Sequence, residues 1–381
     1  VNTAAAQHCY EINLQPGMGG GEIYTRFFTQ ALVALGCRVS LIALRGSWLA
    51  QHLRMEGVQI VEVDRQEDIP GRLAADGSPA FSHHPLSGPV AAAIRQGHRL
   101  LYFAHMPLYG RKPAPLQSCD LILAVSQHVI DSLRAAGLTH YHPEPLYGVA
   151  DLQRGAAGDG EIRSGQVYDW DRRKLRDRLL SWVHPLLRRC MPARVYAKRP
   201  GLTLGIVSRL TPIKQFPLLF ATLAPILARH PTVNLEIFGS GGYASVRDLR
   251  RALAPARKQV RFWGHQADVR RIYAQVDYLM AGLPEKEALG LNVIEAEMCG
   301  TPVLAPNAPP FTETVSQKKT GFLYTDPRQD QGRDFERLLL RLLESKRPQP
   351  LDHPEWLERF SPAAFRERVA RLLLALNASH A

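Results

Sequence analysis

The chain has 381 residues, 45% hydrophobic and 22% charged, which holds two buried cores and excludes both a disordered tract and a small stapled scaffold. Its apolar runs fall well short of the ~20 residues of a membrane-spanning helix, and its five cysteines are widely spaced with no CxxC pair, a pattern of free thiols rather than of a disulfide framework. The formal net charge of +12 calls for an anionic partner: phosphate, nucleic acid or a lipid surface.

In chain order, short apolar runs predict strands at residues 10–14, 39–44, 58–63, 99–104 and 121–125, with an amphipathic helical stretch at 24–35. A second series of strands is predicted at 202–207, 234–238, 260–262, 278–280 and 302–305, with helical patterns at 216–228 and 288–299. Strands alternating with helices give parallel sheets covered on both faces, so the fold class is α/β with two doubly wound, Rossmann-like domains. The expected boundaries are 1–153 for the first domain, 154–200 for an insertion near the domain junction, and 201–354 for the second domain. Ser361 and Pro362 suit the N-cap and first position of a last helix over 361–376, expected to return to the first domain.

The insertion carries twelve Lys and Arg against five acids between residues 154 and 200. Leu175, Leu179, Val183, Leu186 and Leu187 fit one helical stripe ringed by arginines, with Trp182 adjacent. Such a face covers a core or lies on an anionic membrane.

The strongest motif joins Glu287 and Glu295, eight positions apart, with Gly290 between them and Gly300-Thr301-Pro302-Val303 after them. If all eight steps were helical, the carboxylates would stand ~12 Å apart along the axis and suit two ends of an elongated ligand. Two glutamates by themselves are ordinary helix acids. Upstream, Arg209 and Lys214 follow a strand, where a guanidinium fork and a point charge suit a diphosphate. Phe238-Gly239-Ser240-Gly241-Gly242 lies between a strand and a helix, so its glycines could admit a nucleotide and turn backbone N–H groups toward an anion. In the first half, Gly19, Gly20 and Glu22 open a helix after the first strand, and His105 ends another strand. His83 and His84 form no recognisable metal pattern, and no DxD-like pair stands beside a strand.

The run from Glu287 to Val303 resembles the E-x7-E signature of glycosyltransferase family four, and the other motifs occur in that family's order across most of the chain outside the insertion. Leu289 replaces a usual Phe, Leu283-Pro284-Glu285-Lys286 replaces the usual Pro-Ser approach, and Gln215 stands where glycine is usual. The resemblance implies the GT-B arrangement, two domains facing a cleft, and transfer of a sugar from a UDP- or GDP-type nucleotide sugar to an acceptor hydroxyl with retention. It implies that Arg209 and Lys214 offset the diphosphate without a metal, that Glu295 and the Gly239/Gly241 loop bind the nucleotide, and that Glu287 holds the donor sugar. His105 is implied to buttress that sugar, and the Gly19/Gly20/Glu22 loop to face the distal phosphate or the acceptor.

A glycan or lipid-linked acceptor of the cell envelope is expected, with no cofactor, no metal and no nucleic acid. Residues 1–7 lack the basic and apolar regions of a signal peptide, so the expected location is cytoplasmic, peripheral on the inner membrane face if the insertion binds lipid. A GT-B nucleotide-sugar epimerase and a basic nucleic-acid-binding protein are the alternative classes.

Overall fold

The computed structural model describes residues 7–17, 19–150, 160–170, 175, 177–178, 182 and 193–378. The chain divides into two compact units, one of residues 1–151 and 358–381, the other of residues 152–357.

The first unit contains β1 (His8–Asn13), β2 (Arg38–Leu44), β3 (Val58–Val63), β4 (Ala80–Ser82), β5 (Leu100–Ala104) and β6 (Leu121–Ala124). They form one parallel sheet in the order β3-β2-β1-β4-β5-β6. Order reverses between β1 and β4, and ligands of doubly wound sheets bind outside the strand ends at that point. The helix Gly20–Ala34 buries Tyr24, Phe27, Phe28, Ala31 and Leu32, a stripe of helical period. The last helix, Pro362–Ala378, packs on it through Phe365, whose ring meets that of Tyr24 at 5.6 Å. Ser361 Oγ caps it by accepting from Ala364 N at 3.1 Å.

The second unit repeats the pattern with β7 (Leu202–Val207), β8 (Val233–Phe238), β9 (Val260–Gly264), β10 (Tyr278–Met280), β11 (Val303–Pro306) and β12 (Gly321–Tyr324), in the order β12-β11-β10-β7-β8-β9. Its reversal lies between β7 and β10. Leu204, Ile206, Leu235 and Ile237 alternate into a core closed by Leu219, Phe220 and Leu223 of the helix Phe216–Arg229 and by Leu338 and Leu339 of the helix Arg333–Glu344. The sheets therefore hold two strands more than the sequence pattern predicts. Ala80–Ser82 has three residues among polar neighbours, and Gly321–Tyr324 starts on a glycine and has four, so neither stands out as an apolar run.

Of the insertion, residues 160–170 are knit to the second unit. Gly165 N donates to Trp263 O at 2.6 Å, His265 N to Gln166 O at 2.7 Å, and Asp169 N to Gly241 O at 2.8 Å. Leu179, Val183, Leu186 and Leu187 of the predicted stripe lie outside the described residues; Leu175 and Trp182 are 70% and 83% exposed. Among the described residues no helix is long and apolar enough to cross a membrane.

Candidate active site

Lys214 and Glu287, 73 positions apart in sequence, form an ion pair at the carboxyl side of the second sheet, with side chains only 21% and 15% exposed. Lys214 ends a short turn after β7, and Glu287 lies in the loop after β10, so the reversal of strand order is what brings them together. Gly282 makes the approach possible, because a Cβ there would lie 2.3 Å from Lys214 O. Gln215, standing where the resembled family has glycine, adopts φ +53°, a left-handed conformation that favours glycine. Arg209 is exposed, and its guanidinium makes no hydrogen bond or ion pair with the described residues.

Glu295 projects from the helix Leu291–Met298, which starts after Gly290 at φ +83°. Glu287 thus precedes the helix, and the ~12 Å separation expected for eight helical steps does not apply. Burial pushes the Glu295 carboxyl up to about 7, while the Tyr273 hydroxyl, donating to Oε2 at 3.1 Å, and the Lys214 charge act the other way. Lys214 therefore acts on both carboxylates of the motif. Tyr273, Asn292, whose Nδ2 donates to Val207 O at 3.2 Å, and Gly282 are site residues that the sequence reading passed over. Their contacts are long-range and leave no local pattern.

The glycine loop corrects one expectation. Gly239 N donates to Gly264 O at 2.8 Å and Gly241 N to Val167 O at 3.0 Å, so these N–H groups are spent inside the protein and do not face an anion. The end of β9 takes the first, and the segment around Val167, which arrives over the loop from outside the strand series, takes the second. The glycines serve a different purpose. A Cβ on Gly239 would stand 1.9 Å from Ser208 O, and one on Gly241 would stand 2.1 Å from Leu210 O. They admit the two residues that flank Arg209. Trp263 is 1% exposed and donates to Glu236 Oε2 at 2.6 Å, so it belongs to the core, while Asp268 is held by Arg270 and Arg271.

In the first unit, Gly19 is extended at φ −158°, the helix begins at Gly20, and Glu22 is buried in its first turn. His105 follows β5 and is half-buried. Its Nε2 lies 3.0 Å from His83 Nδ1, and His83 Nε2 lies 2.8 Å from Glu11 Oε1. Burial holds His105 well below the usual imidazole range, lowers His83 to about 3 and raises Glu11 to about 8. All three are thereby favoured neutral. Ser126 caps its helix by accepting from Val129 N at 3.2 Å. Among the described residues no group of three or more His, Cys, Asp or Glu is placed to hold a metal ion.

Residues 197–360 match the family model Glycosyl transferases group 1. The match lies almost wholly in the second unit and contains every site residue placed there. A GDP-mannose-dependent monoacylated alpha-(1-6)-phosphatidylinositol monomannoside mannosyltransferase of Corynebacterium glutamicum is 31% identical over 145 residues, 36% of each chain. A D-inositol 3-phosphate glycosyltransferase of Rhodococcus erythropolis is 32% identical over 135 residues, 32% of this chain and 30% of that protein. The chain spans about a third of the length of these curated relatives. Among solved structures, Anabaena HepE in complex with UDP and glucose aligns with a TM-score of 0.69 at 16% identity, covering 97% of this chain and all of the other. Sucrose-phosphate synthase from Thermosynechococcus elongatus gives 0.69 at 17% identity, over 98% and 100%. The fold is therefore the two-domain, Rossmann-like α/β fold of the GT-B class.

Proposed function

We propose that the protein is a glycosyltransferase that moves a sugar from a UDP- or GDP-type nucleotide sugar to an acceptor hydroxyl, retaining anomeric configuration and needing no metal. The observation that carries this reading is the Lys214–Glu287 pair inside the matched region, with Lys214 on the turn that follows β7 and also carries Arg209, whose guanidinium is exposed with no partner among the described residues. Two cations following one strand offset a leaving diphosphate, and stabilising charge that develops there is usually the largest catalytic effect. In this reading Glu295 accepts hydrogen bonds from the ribose, Glu287 holds the donor sugar, and His105 accompanies the transferred sugar. The Gly19/Gly20/Glu22 loop opens a helix whose first N–H groups suit the distal phosphate or the acceptor.

The acceptor proposed is a lipid-linked or cell-envelope glycan, met at an anionic membrane surface. The basic composition of 154–200 and the exposed Leu175 and Trp182 support that choice, as does the phosphatidylinositol mannoside named for the corynebacterial relative. A panel of nucleotide sugars read by thermal shift tests the donor, since a ligand of the native state alone raises its melting temperature. Product analysis with the stabilising donor then distinguishes transfer from epimerisation, and undiminished turnover in excess EDTA is expected. No shift with any donor, or activity lost to EDTA and restored by magnesium, overturns the reading. Cosedimentation with anionic but not neutral vesicles, reduced by salt, is expected for the membrane surface.

A further inference from the structure

In the first unit, Glu11, His83 and His105 form a hydrogen-bonded line across the point where strand order reverses. Glu11 lies in β1, His83 directly after β4 and His105 directly after β5. The two imidazole planes are 14° apart and their centroids 5.2 Å apart, yet Nδ1 and Nε2 approach to 3.0 Å. That is the edge-to-edge geometry of an N–H···N bond and not of a stack. Phe103, Tyr24 and Phe28 enclose the line, with the His83 ring 4.7 Å from that of Phe103 and within 15° of parallel. Glu11 has no exposed surface.

One direction satisfies every group from the far end of the line inward. Thr29 Oγ1 lies 2.5 Å from Glu11 Oε2 and 2.9 Å from Thr25 O. A carbonyl only accepts, so the single hydroxyl proton can go to Thr25 O, and Thr29 Oγ1 can then receive a proton carried on Glu11 Oε2. Whether Glu11 is ionised or protonated on Oε2, Oε1 remains to accept from His83 Nε2. His83, neutral, then has a bare Nδ1. That nitrogen accepts from His105 Nε2, and His105 Nδ1 is left without a proton.

We propose that Glu11 and His83 are positioning residues that lock His105 in the Nε2–H tautomer, so that it presents Nδ1 as a hydrogen-bond acceptor to a hydroxyl of the transferred sugar. The line itself stands on the contacts above; its use toward a sugar rests on the glycosyltransferase reading. A neutral acceptor of fixed tautomer recognises a hydroxyl and offers nothing to a phosphate, which separates the task of His105 from that of Arg209 and Lys214.

The test is long-range nitrogen–proton NMR on the full chain labelled with 15N-histidine at pH 7, with His105 assigned by the signal missing in His105→Gln. Expected are a protonated Nε2 and a bare Nδ1 at His105. Glu11→Gln, whose amide still accepts from His83 and donates to Thr29, retains that pattern. His83→Phe, which fills the same space beside Phe103, gives a mixture of tautomers at His105. A protonated Nδ1 in the unaltered protein, or an unchanged His105 spectrum in His83→Phe, overturns the proposal. Turnover with the donor found by thermal shift is read separately. His83→Phe is expected to lower kcat about tenfold at unchanged donor KM, and Glu11→Gln to stay within about twofold of the unaltered protein. A locked tautomer in a chain that transfers no sugar sinks the functional reading and leaves the line; transfer with an unlocked His105 does the reverse.

Discussion

Lys214 is engaged by Glu287, so a diphosphate bound as proposed would compete with that carboxylate for it. Lys214→Ala is expected to lower turnover by ~10²-fold, because a charge-assisted contact to a developing diphosphate is worth several kcal/mol. The melting temperature should move little, since partly exposed ion pairs contribute about 1 kcal/mol or less. Glu287→Gln should do something different. It frees Lys214, so the nucleoside diphosphate binds as tightly as before or more tightly, while turnover falls because the sugar contact is lost. Calorimetric titration with UDP and GDP beside single-turnover kinetics decides the point; equal losses of affinity in both variants contradict separate roles.

Glu295 carries its own signature. With its carboxyl pushed up to about 7, the ribose hydroxyls of the proposed donor would be held best once it ionises, so nucleotide-sugar affinity should rise through about pH 7. Glu295→Gln should flatten that rise. A nucleotide sugar is the right probe, because it has no terminal phosphate to titrate in the same range. An inflection that survives Glu295→Gln assigns the titration elsewhere.

At the scale of elements, the two glycines after β8 support the Arg209 loop by letting Ser208 O and Leu210 O lie against them. Gly241→Ala is expected to displace backbone on both sides, costing on the order of 3 kcal/mol and weakening donor binding together with stability. Paired chemical denaturation and titration would show it, and a loss of affinity at full stability would instead mean that the loop touches the nucleotide directly. This is also where the sequence was only half legible. The long strands and helices were readable because each has a periodic apolar face, and Glu287, Glu295, Arg209 and Lys214 were readable as candidates through the resemblance to glycosyltransferase family four. The Lys214 approach to Gly282, the capture of the glycine N–H groups by Gly264 and Val167, and the Glu11–His83–His105 line were not. Each joins residues from separate strands, and His83 follows a three-residue strand that no periodicity announces.

For the whole molecule, burial has been distributed unequally over ionisable groups, and the two units should respond to pH in opposite senses. In the first unit His83 is lowered to about 3 and His84 to about 4, and His105, His128 and His142 are also lowered, each chiefly by burial. A depressed imidazole contributes stability that is complete above its unfolded value of about 6.5 and is lost as pH falls toward the folded value. Glu11, raised to about 8, works the other way, but one carboxyl is outweighed by five imidazoles below pH 6.5. In the second unit Glu295 is raised to about 7, and the fully buried Glu297 is raised well above the usual range by burial, with Thr320 and Trp356 acting the other way. A raised carboxyl contributes stability that is complete below about pH 4.5 and is lost as pH rises through the folded value. Between pH 5 and 6.5 the first unit should therefore gain stability while the second loses it, at up to about 1.4 kcal/mol per pH unit for each proton involved. Hydrogen exchange read peptide by peptide, corrected for the intrinsic rate at each pH, gives the two units separately. The slopes should diverge across that window, and Glu297→Gln should remove much of the decline in the second unit. Parallel slopes in both units would mean that these groups are not buried in the protonation states assigned to them.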